Sequence, residues 1–273
     1  MRPDKWAITI PVRENLTMLQ EGESARGCVN PVVRIGDTVR RPVHRWTPDV
    51  HALLRYLEAV GFSGVPRVLG FDELGREVLS FIPGEVARRP WPEVMLEVNG
   101  LAEVARFLSR YHNAVRDFEP PEDAEWYVPN VTWRPGMIIR HGDPGPWNTV
   151  WEGRNLKGII DWDFAEPGDP LCDVSQFAWY AVPLRGEAHW RKAGFSDKPD
   201  LRSRLAVLSD TYGADTSAIL DTLSDLQLEE YRRTETLGRQ GLLPWSIFYQ
   251  RGVLAELKEE NTWLNENYDS LAA

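Results

Sequence analysis

Five polar residues crowd into the segment RHGDPGPWNTVWEGRNLKGIIDWDF, residues 140–164: His141, Asp143, Asn148, Asp161 and Asp163. The Pro-Gly-Pro sequence at 144–146 disfavours an α-helix between Asp143 and Asn148, so a loop must hold both side chains. The following TVWEGRNLKGIID is typical of a β-hairpin, with strands over 149–152 and 156–160. Because a hairpin returns the chain to its start, Asp161 is predicted to lie beside the loop.

A carboxylate, a carboxamide and a second carboxylate in one cluster suit phosphoryl transfer. Moving a γ-phosphoryl group to an alcohol requires metal ions that hold the phosphates and a base that is aligned with the hydroxyl. Mg²⁺ prefers oxygen ligands, so Asn148 and Asp161 are the predicted metal ligands. Asp143 is the predicted catalytic base, an effect worth about 10² to 10⁴ in rate. His141 is the second candidate catalytic residue, which we expect to brace the loop by hydrogen bonding.

Two predicted β-hairpins flank one predicted helix before Gly84. The first covers CVNPVVRIGDTVRRPV, with its turn at Gly36-Asp37, and the second covers RVLGFDELGREVLSFIPGE, with its turn at 73–76. Between them, WTPDVHALLRYLEAVGF has apolar residues at helical spacing and a stop at Gly61. The pattern predicts a small antiparallel sheet with one inserted helix.

Helical periodicity dominates after Gly84. Apolar residues recur at steps of three and four from Val94 to His112, which predicts one long amphipathic helix. Further helices are predicted near 172–182, 200–212, 216–239 and 244–267. The predicted fold class is therefore α+β, with a β-rich lobe over residues 1–84, a mainly helical lobe over 85–273, and LSFIPGE as the junction.

Composition and charge exclude several classes of protein. A chain of 273 residues with 42% hydrophobic residues can bury a large core, in which we expect most of the 12 tryptophans, Trp147 and Trp151 included. No run is long enough for a membrane span and MRPDKWAITIPVREN lacks the apolar centre of a secretory signal, so a cytoplasmic location is expected. Cys28 and Cys172 are far apart and are expected to be free thiols.

The net charge of −10 is unevenly distributed. Residues 1–84 carry 11 basic and 10 acidic side chains, whereas residues 85–273 carry 20 and 31. Nucleic acid is excluded as an expected partner, because a phosphate backbone needs a basic surface. The charge is compatible with a cationic small molecule bound by the second part, although an acidic solvated surface explains it more simply.

HGDPGPWN followed by IIDWDF resembles the catalytic loop and metal-binding segment of the aminoglycoside phosphotransferase family, relatives of choline kinases and, more distantly, of protein kinases. The resemblance covers most of the chain, since EPGDPLCDVSQF lies where that family commonly has Gly-Asp-Pro and a further Asp. It implies a protein kinase-like two-lobe fold, Mg²⁺, ATP or GTP as phosphoryl donor, and a hydroxyl of an aminoglycoside-like molecule, amino alcohol or sugar as acceptor. It also implies that Asp143 is the base, Asn148 and Asp161 are metal ligands, and Asp173 supports the catalytic loop.

The nucleotide-binding residues depart from the family pattern. The family usually has a lysine on the third strand to hold the α- and β-phosphates, where TVRRP offers Arg40 or Arg41. Arginine can bind phosphate through its planar fork but is not equivalent to lysine. We favour Arg40, because its neighbour precedes Pro42 and is nearer the strand end. Ser80 and Ile82, in the junction, are the other nucleotide-binding candidates.

Two further family features are weakly marked. The glutamate that pairs with the phosphate-binding lysine from the next helix is not evident, and Asp49 and His51 are the nearest polar residues. The segment EGESARGCVN, where the phosphate-covering loop is expected, has Gly22 and Gly27 but no strong glycine spacing. The sequence therefore defines the metal contacts better than the nucleotide contacts.

Three functions are compatible with these residues. The leading one is an ATP- or GTP-dependent small-molecule kinase. The alternative is a catalytically weak or inactive kinase-like protein that binds a small molecule or peptide and gives resistance or immunity by sequestration. A third is a metal-dependent phosphoester hydrolase that uses His141, Asp143, Asp161 and Asp163. Such sites normally use more histidines than the five scattered ones present here, which disfavours the hydrolase.

Overall fold

A five-stranded antiparallel sheet and one helix form the first part of the chain. The computed structural model describes residues 24–26 and 31–273. The strands and the helix are β1 (Ser24–Arg26), β2 (Pro31–Ile35), β3 (Thr38–Arg41), α1 (Thr47–Ala59), β4 (Val68–Phe71) and β5 (Glu77–Ser80). Their order in the sheet is β1-β2-β3-β5-β4, with α1 inserted between β3 and β4. Both predicted hairpins are present, although Cys28 at the start of the first lies outside the described residues. Gly22 and Gly27 of the expected phosphate-covering segment also lie outside them.

A second, three-stranded sheet connects the two parts of the chain. It contains β6 (Glu85–Val86), β8 (Thr149–Glu152) and β9 (Asn155–Ile159), in the order β6-β8-β9. A separate antiparallel pair is formed by β7 (Ile138–Arg140), which precedes β8, and β10 (Glu166–Gly168), which follows β9. The predicted hairpin over 149–160 is therefore confirmed, and it lies next to the segment that follows Gly84. The division into lobes at Gly84 stays a prediction.

The remaining helices form most of the second part. They are α2 (Glu93–Leu96), α3 (Val98–Ala114), α4 (Pro170–Ala181), α5 (Glu187–Ala193), α6 (Leu201–Tyr212), α7 (Thr216–Arg239), α8 (Trp245–Gln250) and α9 (Val253–Ala272). The helices predicted near 172–182, 200–212 and 216–239 correspond to α4, α6 and α7. Their buried faces enclose the main core, where α3 packs on α6 and α4 packs on α7.

Two of the predicted helices are each divided in the structure. The helix predicted from Val94 to His112 breaks at Glu97, which has extended backbone angles (φ −84°, ψ 157°) and separates α2 from α3. The helix predicted over 244–267 breaks at Gly252, whose φ of 76° is left-handed. Helix α5 has no counterpart in the prediction. None of the helices within the described residues is long and apolar enough to cross a membrane.

Candidate active site

The loop after β7 brings Asp143 and Asn148 together, as the Pro-Gly-Pro sequence predicts. The carboxamide nitrogen of Asn148 donates to the Asp143 carboxylate at 3.0 Å and to the Asp143 backbone carbonyl at 2.7 Å. Residues Pro146–Asn148 form a single 3₁₀ turn. The indole N–H of Trp147 donates to the same carboxylate at 3.3 Å. Trp147 therefore does more than pack: with Asn148 it fixes the orientation of Asp143.

Hydrogen bonds to Asp173 support the start of the loop that carries Asp143. The two carboxylate oxygens of Asp173 accept hydrogen bonds from the backbone N–H groups of His141 (2.7 Å) and Gly142 (3.0 Å), and one lies 3.2 Å from His112 Nε2. The side chain is fully buried. Burial alone would raise the pKa of Asp173, but the hydrogen bond and charge of His112 and the charge of Arg140 lower it. These contacts are those of the supporting carboxylate that the family resemblance implies.

His141 braces the loop through both ring nitrogens. Nδ1 accepts the backbone N–H of Asp143 at 3.2 Å, and Nε2 lies 3.2 Å from the carbonyl oxygen of Ile160. The ring is buried and packs on Trp162, with 4.4 Å between ring centroids. This geometry matches the predicted bracing role and links the loop to the segment that carries Asp161.

The β8–β9 hairpin returns Asp161 to the loop. The backbone N–H of Ile160 donates to the Asn148 carbonyl at 2.9 Å, which fixes the end of the hairpin against the loop. Asp161 has left-handed backbone angles (φ 68°, ψ 68°), a conformation that is uncommon outside glycine and is maintained by the surrounding structure. The chain turns here into the 3₁₀ turn Trp162–Phe164, which buries Asp163.

Arg41, and not the predicted Arg40, lies at these carboxylates. Arg41 Nη1 is 3.4 Å from Asp161 Oδ1, and Nη2 forms a short contact with Asp163. Arg40 instead hydrogen-bonds to Thr38 and lies 3.7 Å from Asp72. The physical reason is the alternation of side chains along β3. Val39 and Arg41 share the face that lines a cleft, whereas Thr38 and Arg40 share the opposite face.

A buried glutamate and histidine support Arg41. Arg41 Nε donates to Glu77 Oε1 at 2.8 Å, and the other Glu77 oxygen lies 2.8 Å from His51 Nε2. All three side chains are buried. Burial alone would lower the pKa of Arg41, but Asp163 and Glu77 raise it above its ordinary value. The expected helix glutamate is thus replaced by Glu77 on β5, and α1 joins the network through His51; Asp49 instead accepts the backbone N–H of Glu125.

An apolar cleft lies beside Arg41 and Asp161. Its walls come from the first sheet and from the β8–β9 hairpin, and the predicted Ser80 and Ile82 both line it. Its apolar lining includes Val39, Leu79, Phe81, Val86, Val150 and Ile160. Such a cleft can accept a flat apolar group such as a nucleobase, with the polar end of the ligand near Arg41 and Asp161.

The donor atoms at the mouth of this cleft fit Mg²⁺. Asp161 supplies a carboxylate that is partly exposed, and Asn148 supplies the carboxamide oxygen, since its nitrogen donates to Asp143. Mg²⁺ is bound in proteins by one or two such oxygens, and its other ligands are phosphate and water.

A second cavity, which we call the acceptor cavity, is lined by Asp143. It lies between the catalytic loop, α4 and the C-terminal helices. Its lining consists of Arg140, Gly142, Asp143, Trp147, Phe164, Gln176, Trp179, Tyr180, Arg185, Leu226, Glu229, Glu230, Arg233, Pro244, Trp245, Phe248, Val253, Glu256, Leu257 and Glu260. Asp143 therefore lines this cavity, whereas Asp161 lines the apolar cleft, and the loop of Asp143 and the segment of Asp161 are joined by the Ile160–Asn148 backbone hydrogen bond.

Comparison with known proteins gives a consistent family assignment. Residues 132–207 match the model of the phosphotransferase enzyme family. The trifolitoxin immunity protein of Rhizobium leguminosarum bv. trifolii is 36% identical over 188 residues, which are 67% of this chain and 70% of the relative. The chain belongs to the phosphotransferase enzyme family. Within that family, His141, Asp143, Asn148, Asp161 and Asp173 all fall inside the matched region.

Solved structures confirm the protein kinase-like fold of this phosphotransferase-family chain. Choline kinase from Cryptosporidium parvum Iowa II has a TM-score of 0.58 at 11% identity, covering 93% of this chain and 91% of that one. The streptomycin–ATP ternary complex of APH(2")-IIa has a TM-score of 0.56 at 13% identity, covering 97% and 99%. The GDP complex of aminoglycoside 2'-phosphotransferase-IIIa has a TM-score of 0.54 at 16% identity, covering 89% and 93%. At these identities the likeness shows the fold.

Proposed function

We propose that the protein is a Mg²⁺-dependent kinase that transfers the γ-phosphoryl group of ATP or GTP to a hydroxyl of a small molecule. The observation that carries the proposal is Asp143, which is oriented by Asn148 and Trp147 and lines the acceptor cavity, with Arg41 and Asp161 lining a separate apolar cleft. The complexes of related folds with ATP and with GDP support a nucleotide as donor.

Each residue has a defined part in this proposal. The acceptor hydroxyl would donate its hydrogen bond to the Asp143 carboxylate, which accepts the proton as the oxygen bonds to the γ-phosphorus. The bond from that phosphorus to the β–γ bridging oxygen breaks, and the nucleoside diphosphate leaves. Arg41 would contact the α- and β-phosphates in place of the family lysine. Asn148 and Asp161 would hold Mg²⁺, which supplies charge neutralisation to the phosphate oxygens when bound. His141 and Asp173 keep the loop in place.

The biological role proposed here is immunity through modification of a toxic compound. It is supported by the 36% identity to a trifolitoxin immunity protein. Sequestration without turnover is the second candidate, and one observation favours it: Arg41 is already engaged by Glu77, Asp161 and Asp163 rather than held by one carboxylate. The two candidates differ in whether protection requires Asp143.

A thermal shift assay and a transfer assay test the kinase. We expect ATP or GTP with Mg²⁺ to raise the melting temperature of wild type and of Asp143→Asn alike, because Asp143 is not a proposed nucleotide ligand. The rate at which labelled γ-phosphate is transferred from the nucleotide to the acceptor hydroxyl should be about 10² to 10⁴ times lower in Asp143→Asn than in wild type. No stabilisation by either nucleotide, or equal transfer by both proteins, would overturn the kinase proposal.

Toxin challenge separates modification from sequestration. Cells that express wild type are expected to survive trifolitoxin, whereas cells that express Asp143→Asn at the same level should remain sensitive. Equal protection by both proteins would favour sequestration. Absence of protection by wild type would remove trifolitoxin as the substrate and leave the transfer assay as the test of activity.

A further inference from the structure

Aromatic rings form much of the wall of the acceptor cavity. Six lining residues are aromatic: Trp147, Phe164, Trp179, Tyr180, Trp245 and Phe248. The rings pack on one another, with 4.6 Å between the centroids of Trp147 and Tyr180 and 5.9 Å between those of Phe164 and Trp245. The cavity has a volume of about 160 Å³ for water-sized spheres. Its rings favour flat or apolar groups.

A buried arginine already engages two glutamates of this cavity. Arg185 Nη2 lies 3.1 Å from Glu256 and 2.5 Å from Glu260. Trp179 Nε1 donates to the other Glu260 oxygen at 2.6 Å. Arg185 is 5% exposed and Glu260 is 2% exposed. A cationic ligand that bound both glutamates would compete with the buried Arg185 for them, which is unfavourable.

A second arginine engages the glutamate at the rim. Arg233 Nε donates to Glu229 at 3.1 Å, and its Nη2 donates to the buried Glu166 at 3.0 Å. The Glu229 side chain is 46% exposed. An ion pair between this residue and a ligand would be strongly screened by solvent and would contribute little affinity.

Glu230, which also lines this cavity, differs from these three glutamates. Its Oε1 accepts the indole N–H of Trp245 at 2.9 Å, and among residues 31–273 it forms no salt bridge. Burial raises the pKa of Glu230 to about 7, against the lowering effect of Arg233 and Trp245. The carboxyl group can therefore receive one cation when ionised, or share a hydrogen bond with a neutral group when protonated.

The geometry points to an acceptor that has a hydroxyl, an aromatic or extended apolar body and at most one positive charge, with Glu230 receiving its cationic or hydrogen-bonding group. The inference rests on the proposed function, since it takes the acceptor cavity as the place of the receiving hydroxyl. The other carboxylates that a polycation would need are already paired with Arg185, in Glu256 and Glu260, or lie at the exposed rim, in Glu229. An amino alcohol as small as choline would leave most of the aromatic wall uncovered.

Calorimetric titration of the full chain, with and without ADP and Mg²⁺, tests this acceptor class. The probes are N-acetyl-tryptophanyl-serine amide (neutral), tryptophanyl-serine amide (one charge), N-acetyl-lysyl-seryl-lysine amide (two charges), kanamycin and choline. We expect the two tryptophan peptides to bind at least about tenfold more tightly than the other three. Equal or tighter binding of kanamycin, choline or the lysine peptide overturns the inference, as does failure of both tryptophan peptides to bind.

Two variants and one control assign the contacts. Glu230→Gln should reduce the preference for the free-amine peptide over its acetylated form from about tenfold to about unity, with little effect on the neutral peptide. Phe248→Ala should weaken both tryptophan peptides. Asp225→Asn, an exposed position on the same helix as Glu230, should change neither. An unchanged preference in a folded Glu230→Gln protein removes Glu230 from the assigned role.

A transfer assay with the same probes distinguishes this inference from the proposed function. Binding of the tryptophan peptides in the expected order without phosphorylation of any probe refutes the kinase and leaves the acceptor class intact. Phosphorylation of kanamycin in preference to the tryptophan peptides supports the kinase and overturns the acceptor class.

Discussion

At the residue scale, three aspartates of the site have different environments and therefore different proposed tasks. Asp143 is half-buried and receives side-chain N–H donors from Asn148 and Trp147, which fix the orientation of its carboxylate. Asp161 stands on a left-handed turn beside Arg41. Asp173 is fully buried beneath the loop. In the proposed function, the same side chain is assigned three roles, as base, metal ligand and structural support, because its surroundings differ.

Asp173→Asn tests the support of the loop. An asparagine has one acceptor oxygen for the backbone N–H groups of His141 and Gly142, where the aspartate has two. Its NH₂ group would also face one of these N–H donors. We therefore expect the free energy of unfolding to fall by about 3 kcal/mol. The pKa of Asp173 is lowered in the folded state, so its stabilisation is present above the ordinary carboxyl value of 3.8 and is lost as the pH falls through the lowered pKa. Urea titration of both proteins should give a constant difference at pH 6 to 8, and an unchanged midpoint would contradict the role.

Glu230→Gln tests the buried carboxyl of the acceptor cavity. The folded pKa of about 7 lies above the ordinary 4.5, so the stability from this group is complete below 4.5 and is lost as the pH rises through 7. Glutamine keeps an acceptor for Trp245 and has no charge to bury. The variant is therefore expected to melt about 3 to 6 °C above wild type at pH 8 and within about 1 °C of it at pH 5. A difference of the same size at both pH values would mean that ionisation is not the cause.

At the element scale, the sequence predicted the parts that depend on local chemistry. The Pro-Gly-Pro turn and the hairpin after Thr149 are encoded within two dozen residues, so the meeting of Asp143, Asn148 and Asp161 could be deduced. The choice of Arg41 was also available, because Val39 is the apolar neighbour on its face of β3. The partnership with Glu77 depends on the pairing of β3 with β5, 36 residues apart, which no local pattern indicates.

His51 joins α1 through Glu77 to Arg41, the arginine proposed to bind phosphate, and its removal should affect nucleotide binding more than acceptor binding. His51→Ala leaves a Glu77 oxygen buried without its hydrogen bond, which costs about 1 to 3 kcal/mol. With Glu77 and Arg41 less firmly held, we expect the KM for nucleotide to rise at least about fivefold while the KM for acceptor stays within about twofold. Steady-state kinetics with each substrate varied measure the two constants.

Rescue and control variants make the His51 result specific. His51→Gln can restore a side-chain N–H to Glu77 and should recover part of the nucleotide affinity. Glu73→Gln changes an exposed glutamate in the turn before β5 and should leave both constants unchanged. If His51→Ala raised both KM values equally, a general disturbance of the fold would explain it better than the network does.

At the scale of the whole molecule, one close backbone contact joins the first part of the chain to the hairpin that carries Asp161. The backbone N–H of Ile159 donates to the Gly64 carbonyl at 2.9 Å. A Cβ at Gly158 would lie 2.1 Å from that same oxygen, so a glycine is needed for the two backbones to approach. The nucleotide cleft has walls from both sides of this contact. Its width therefore depends on Gly158.

Gly158→Ala should separate these two walls. The methyl group would meet backbone atoms of Gly64, which cannot rotate away as a side chain can. The variant must therefore displace either the hairpin or the segment around Gly64, which should lower the free energy of unfolding by about 1 to 3 kcal/mol. We expect its melting temperature to fall by about 4 to 8 °C. Asp161 follows the displaced strand by two residues. The rise in melting temperature that ATP and Mg²⁺ produce should therefore be less than half as large in Gly158→Ala as in wild type.

Gly252→Ala provides the matched comparison, since its left-handed φ of 76° makes alanine unfavourable while no atom lies within 4 Å of the added Cβ. It should lower the melting temperature by a few degrees, at a backbone cost of about 1 to 2 kcal/mol, yet keep the full nucleotide-induced rise. Both proteins thus lose stability, but only Gly158→Ala also changes the distance between the walls of the cleft. If the two variants kept equal nucleotide-induced shifts, the cleft would hold its ligand independently of the Gly64–Gly158 contact, and nucleotide binding would depend on the sheet and the arginine network alone.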